Sequence, residues 1–244
     1  MKNLLFVSPV EVDRPVDGLR WRAHLTARAL SSVGALTVVE VTKDGGRQGE
    51  AVVHTARTPL RRALSRVHPT LPPRVAARDW RPAATRLDQL DPVDLVWVMQ
   101  PDLVGAGLAL PPGSLVVDMV DLEEGKHLGP SLADRHQRRC WSALQQRVFD
   151  RADAVVLAHP GEAATIVHPS VHVLPNAVDV APVPAHGGEP TLTLIGRFTY
   201  QPNREAAVWF VTSVWPLIRA AEPTARLLLV GRHDGALDEV SGAD

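Results

Sequence analysis

Two carboxylates at the end of an apolar run are the first candidates for chemistry. Asp118 and Asp121 stand in Val117-Asp118-Met119-Val120-Asp121. A carboxylate at a strand end can orient an acceptor hydroxyl or take its proton. The plainer alternative is helix capping or loop hydrogen bonding. His127 follows in Glu123-Glu124-Gly125-Lys126-His127 and could reach the same edge. The spacing of Asp118, Asp121, Glu123, Glu124 and His127 fits no familiar ligand pattern, so no metal is expected.

Three further segments stand out, two of them with residues suited to phosphate. In Leu194-Ile195-Gly196-Arg197-Phe198-Thr199-Tyr200-Gln201-Pro202-Asn203, a Gly-Arg pair sits just past an apolar run. Gly196 gives space, Arg197 can grip a phosphate with two parallel N–H groups, and Asn203 opens the next helical pattern. The loop Ser8–Gly18 joins a first apolar run to a first helix, where Gly18 admits close backbone approach and the helix N-terminus favours an anion. Leu174-Pro175-Asn176-Ala177-Val178-Asp179 closes the first long pattern. The fingerprint G-x-G-x-x-G is absent, which argues against a dinucleotide-dependent dehydrogenase or epimerase.

Positioning these residues requires a particular set of elements. Short apolar runs at Leu4–Val7, Leu36–Val41, Ala51–His54, Asp94–Met99, Leu115–Val120, Ala154–Leu157 and Val171–Leu174 read as strands. Helical patterns lie between them at Leu19–Val33, Leu132–Arg151 and Glu162–Val167, with a proline-broken helical stretch over Arg61–Leu90. Strands apolar throughout and separated by helices indicate a parallel sheet covered on both faces. The fold class is α/β, doubly wound and Rossmann-like. This first domain spans residues 1–178, and a Pro- and Gly-rich linker spans 179–190. The pattern then restarts with a strand at Leu192–Gly196, a helix at Asn203–Ala221 and a strand at Arg226–Gly231, so residues 191–244 hold one βαβ unit of a second domain. The helix is apolar on more than one side, through Val208, Trp209, Phe210, Val211, Val214, Trp215, Leu217 and Ile218. It therefore expects burial on several sides, against the first domain, against a partner protein, or within a longer chain.

Composition narrows the function classes. The net charge of -1 gives no reason to expect a nucleic-acid partner. The single cysteine, Cys140, rules out an internal disulfide and suits a reducing cytoplasm as a buried packing residue. The apolar run after Lys2 stops at Ser8-Pro9, too short for a signal h-region. No apolar run approaches the ~20 residues that span a bilayer. Residues 57–86 are strongly basic with interleaved apolar residues, and could lie on an anionic membrane surface or simply cover the sheet as solvated helices.

Taken in order, the Leu4–Gly18 strand and loop, the Pro175-Asn176-Ala177-Val178-Asp179 hinge, Gly196-Arg197, Asn203–Pro223 and Leu228-Leu229-Val230-Gly231 resemble the two-domain (GT-B architecture) nucleotide-sugar-dependent glycosyltransferases, of the group 1 or family 4-like kind. The resemblance implies an acceptor-side first domain and a donor-side second domain, here truncated. It implies transfer of a hexose-type sugar from a nucleotide-diphosphate sugar to a glycan, lipid-linked or small-molecule acceptor, with retention and without an essential metal or other cofactor. Gly18 would approach the donor phosphates, and Arg197 would neutralise the leaving diphosphate. Three departures stand out. Ala177 replaces the usual hinge glycine, no lysine follows the Gly-Arg pair, and the family's acidic donor motif would lie beyond residue 244. The rival expectation is a non-catalytic partner subunit whose second domain completes itself on another chain. The cytoplasm, or the inner face of its membrane, is the expected location.

Overall fold

Leu4, Leu5, Phe6 and Val7 are all buried, and their side chains alternate between two separate cores. Leu5 and Val7 enter a large cluster on one side of a sheet, while Leu4 and Phe6 enter a smaller one on the other. That is what a strand apolar at every position requires: both faces covered. In this computed structural model the structure describes residues 1–42, 52–126, 129–178, 188–233, 235 and 237. The chain falls into two compact units, Met1–Asp179 and Val180–Asp244. His127 and Asp179, both singled out in the sequence, lie outside the described residues.

The first unit is built on seven strands. They are β1 (Lys2–Ser8), β2 (Gly34–Thr42), β3 (Val52–His54), β4 (Leu95–Met99), β5 (Ser114–Val120), β6 (Ala154–Leu157) and β7 (Val171–Val173). All pair in parallel, in the order β3-β2-β1-β4-β5-β6-β7. The order reverses direction between β1 and β4, which makes that junction the topological switch point. The fold is therefore α/β and Rossmann-like.

Helices cover both faces. Helix α1 (Gly18–Ser31) lays Ala23, Ala27 and Leu30 on Leu4 and Phe6. Its N-terminus is closed by Asp17, which accepts the Arg20 amide at 3.0 Å. On the other face, a long helix at Leu132–Phe149 buries Trp141, Leu144 and Val148 and is capped by Ser131.

Between β3 and β4 the proline-rich stretch forms three short helices, α2 (Pro59–Ser65), α3 (Pro73–Ala76) and α4 (Arg81–Asp88). Each has a proline in its first turn, where the missing N–H costs nothing. A helix not expected from the sequence, α5 (Asp102–Gly105), follows β4, which makes the helix at 132–149 α6 and that at Pro160–Ala163 α7.

The second unit holds β8 (Thr191–Ile195) and β9 (Arg226–Val230), paired in parallel. The single helix expected between them is interrupted. Helix α8 (Gln201–Trp209) passes through a π-helical turn, Phe210–Val214, into α9 (Trp215–Ala221). Pro216 cannot donate to the carbonyl four residues back, and a π turn next to it absorbs the mismatch. Phe198, Ala207 and Leu237 make a small core with Leu194 and Leu229. Val211 and Trp215 are buried, whereas Trp209, Leu217, Ile195 and Leu228 are exposed. The helix thus buries one side, not several, among the described residues.

Candidate functional site

The carboxyl edge of the first sheet is organised by an arginine. Arg22 lies one turn into α1 and is buried. Its Nε and Nη2 donate to the two carboxylate oxygens of Asp118, at 2.8 and 2.9 Å. Its Nη1 donates to the Leu174 carbonyl at 2.7 Å and to Asn176 Oδ1 at 3.2 Å. One guanidinium therefore ties together the helix after β1, the end of β5 and the segment after β7. Asp118 also accepts the Val120 amide at 3.1 Å and has no exposed surface. Burial pushes its carboxyl above the ordinary carboxylate range, against the opposing pull of the Arg22 hydrogen bonds and charge. Asp118 is thus enclosed, with both oxygens committed.

Asp121 is placed differently. It is half-exposed and accepts from Lys126 Nζ at 2.6 Å, and Lys126 also meets Glu123 at 3.3 Å. Burial would lower the Lys126 ammonium, but these two carboxylates hold it above its usual value. The two aspartates flank a backbone irregularity. Val120 has φ 65°, and the β5–β6 register shifts between Asp118 and Val120. Gln100, just past β4, has φ 68°. These are the two non-glycine residues with left-handed backbone among the described residues, and for a β-branched valine that conformation is a genuine outlier. Strain of this kind concentrates at functional edges.

A second basic cluster sits beside the first. Arg74 donates to both oxygens of Asp102, at 2.7 and 3.2 Å, and to Glu123 Oε1 at 2.9 Å. Its guanidinium lies 4.6 Å from the Trp141 ring centroid. Burial alone would lower Arg74, yet Asp102 and Glu123 together raise it. Arg78 is buried with its guanidinium 5.2 Å from the Trp80 ring centroid, and burial lowers it. Among the described residues no group of three His, Cys, Asp or Glu side chains could hold a metal ion.

Gly18 begins α1 at an open position, with nothing near enough to touch an added Cβ. In the second unit the structure brings Gly196, Arg197 and Asn203 together. The Asn203 side chain lies against Gly196, and its Nδ2 donates to the Arg197 carbonyl at 3.3 Å. The Arg197 side chain is exposed at the carboxyl end of β8 beside the N-terminus of α8, and its Nε donates to Thr199 Oγ1 at 3.0 Å. The backbones of Gly196 and Gly231 approach so closely that a Cβ on Gly231 would overlap the Gly196 carbonyl.

Sequence reasoning passed over Arg22, Arg74 and Arg78. For Arg22 a signal existed: Arg22 and Thr26 sit one place before Ala23 and Ala27, inside the apolar stripe of α1. Arg74 and Arg78 were read only as members of a basic stretch. They are turned inward, unlike exposed Arg62 and Arg66 beside Leu60, Leu64 and Val67.

No protein-family model and no curated protein matches the chain. Solved structures do. Sucrose-phosphate synthase from Thermosynechococcus elongatus is similar with a TM-score of 0.63 at 17% identity, over 100% of this chain and 69% of that one. The S. aureus MnaA-UDP co-structure is similar with a TM-score of 0.52 at 12% identity, over 100% of this chain and 67% of that one. At these identities the likeness is one of fold, and the fold is the one that the resemblance to two-domain glycosyltransferases implied.

Proposed function

We propose that the chain serves as a glycosyltransferase that moves a sugar from a nucleotide-diphosphate donor to a glycan, lipid-linked or small-molecule acceptor. The observation that carries this reading is the Gly196–Arg197–Asn203 assembly. A parallel strand ends, a glycine leaves room, and an exposed guanidinium with a single side-chain hydrogen bond stands at a helix N-terminus. Such a place suits a diphosphate, because N–H donors and positive charge converge on developing negative charge as the sugar departs. A fold neighbour solved with UDP supports a nucleoside diphosphate as the donor's leaving group.

The first unit then supplies the acceptor side. Arg22 acts as a positioning residue that draws the Asn176 segment onto the sheet edge, with Asp118 as its counter-charge. Asp121, accessible and next to Lys126, is the carboxylate placed to meet an acceptor hydroxyl. Gly18 leaves the first helix N-terminus open to phosphate. Retention at the anomeric carbon completes the reading and would be read from the anomeric proton of the first-formed product.

Exposed Leu60, Leu64 and Val67 with Arg62 and Arg66 support peripheral contact with an anionic membrane. The protein should then co-sediment with anionic vesicles and not with neutral ones, and Arg62→Glu with Arg66→Glu should abolish that.

Calorimetric titration of the folded chain with UDP, GDP and their sugar conjugates tests the donor site. Binding should weaken by about 10- to 100-fold in Arg197→Ala, the range expected for a lost charged hydrogen bond. Equal affinity in the variant, or no binding to a well-folded protein, would sink the proposal.

A further inference from the structure

The switch point between β1 and β4 contains a small pocket that the donor chemistry does not use. Ser8 at the end of β1, Met99 and Gln100 at the end of β4, and Trp80, Arg78 and Asp102 line it. Its volume is about 20 Å³, and it opens to solvent. That is room for one oxygen atom.

Arg78 and Asp102 are the charged side chains among its lining, which is otherwise largely apolar. Arg78 is 2% exposed, and neither Nε nor Nη2 has a hydrogen-bond partner. Nη2 lies 3.5 Å from Asp102, whose two oxygens are already taken by the Arg74 fork. A buried guanidinium with unanswered N–H groups is costly, because its hydration is lost without replacement. Asp102 offsets part of this charge, while Arg57 and Arg74 add positive charge around it. Left-handed Gln100 fixes the pocket wall in a conformation that itself costs free energy. Three independent features thus meet at one place: a switch point, where open α/β sheets bind ligands, a cavity sized for an oxygen, and cationic donors without acceptors.

We propose that this pocket is an anion subsite, in which Arg78 receives a phosphoryl or carboxylate oxygen carried by the acceptor. The subsite lies in the first unit, so it rests on the glycosyltransferase reading only for calling its ligand the acceptor. Asp102 offsets part of the charge at 3.5 Å but accepts no hydrogen bond from Nε or Nη2; a neutral hydroxyl would answer one N–H, whereas an oxyanion can accept from both.

Side-chain NMR of arginine Nε–H groups tests this on the full chain. The Arg78 signal is assigned as the one missing in Arg78→Met. Inorganic phosphate and acetate are titrated separately, with chloride holding ionic strength constant. The expected result is a saturable shift of the Arg78 Nε–H with at least one anion, together with a shift of the Trp80 indole that disappears in Arg78→Met. Phosphate alone saturating would assign a phosphorylated ligand, and acetate alone a carboxylate. If neither anion moves the Arg78 signal of the unaltered protein, the subsite is overturned without reliance on any variant. UDP titration runs alongside. UDP binding with a silent Arg78 would overturn the subsite and leave the transferase reading standing. A responsive Arg78 without UDP binding would keep the anion site and remove the reason to call its ligand an acceptor.

Discussion

Arg22 is the residue on which the first sheet's edge depends, since it has one partner on β5 and two beyond β7. Removing one member of a buried ion pair strands the other, at a cost of about 3–5 kcal/mol. Arg22→Met should therefore lower unfolding free energy by that order in urea titration, and Arg22→Met with Asp118→Leu should recover much of it. A loss near zero in the single variant would contradict the buried fork. Asp79 gives a pH prediction of the opposite kind. Hydrogen bonds from Arg81 hold its carboxyl down to about 2, from an ordinary 3.8. Its stabilising contribution is thus complete above about pH 4 and is lost as pH falls toward 2, with a small size because the pair is on the surface. Carbon-detected titration of Asp79 should return toward 3.8 in Arg81→Ala. At this scale the sequence was partly legible. The proximity of Gly196, Arg197 and Asn203 could be read because they are close in the chain and locally patterned. The Arg22–Asp118 pair spans 96 residues: the apolar stripe of α1 marks Arg22 as buried, but no local pattern names the carboxylate it meets.

Elements were the most legible level where both faces of a strand are apolar. β1, β4, β5 and β6 were legible from their largely apolar runs, because a strand covered by helices on two sides has no polar face to confuse its period. Helix α5 was illegible for the converse reason: four residues carry less than two turns of pattern. Its packing nevertheless constrains the sequence. A Cβ on Gly105 would fall 2.3 Å from Leu144 of α6. Gly105→Ala should then cost about 1–3 kcal/mol through overpacking, and Leu144→Ala about 2–5 kcal/mol through a cavity. Combined, the two changes should cost less than their sum, since the added methyl enters the space vacated by leucine. Strict additivity in a denaturant series would argue against this contact. The interruption of the last helix by a π turn was also not foreseen, although Pro216 is the mark of it.

At the scale of the molecule, the alternation of strands and helices was sufficient to identify the α/β class and the parallel sheet, because connections between parallel strands must cross over. Spatial strand order was not readable, since apolar runs do not say which neighbour they choose. The large core of the first unit predicts independence. Residues 1–178 alone should unfold in one cooperative transition monitored by Trp fluorescence, and a gradual loss of signal would count against it. Strand order also has a consequence in time. β1 pairs with β2 at once but with β4 only when Leu95 and its neighbours exist. At about 5–20 residues per second, the growing chain must hold the second edge of β1, an interior strand of the finished sheet, unpaired for roughly 5–20 s. Fragments ending before Leu95 should be cut rapidly by protease, and those carrying β4 and β5 should resist. Birth of this protein thus includes an interval in which a strand destined for the interior of its sheet is an open edge, and whatever shields nascent chains in the cell must cover it.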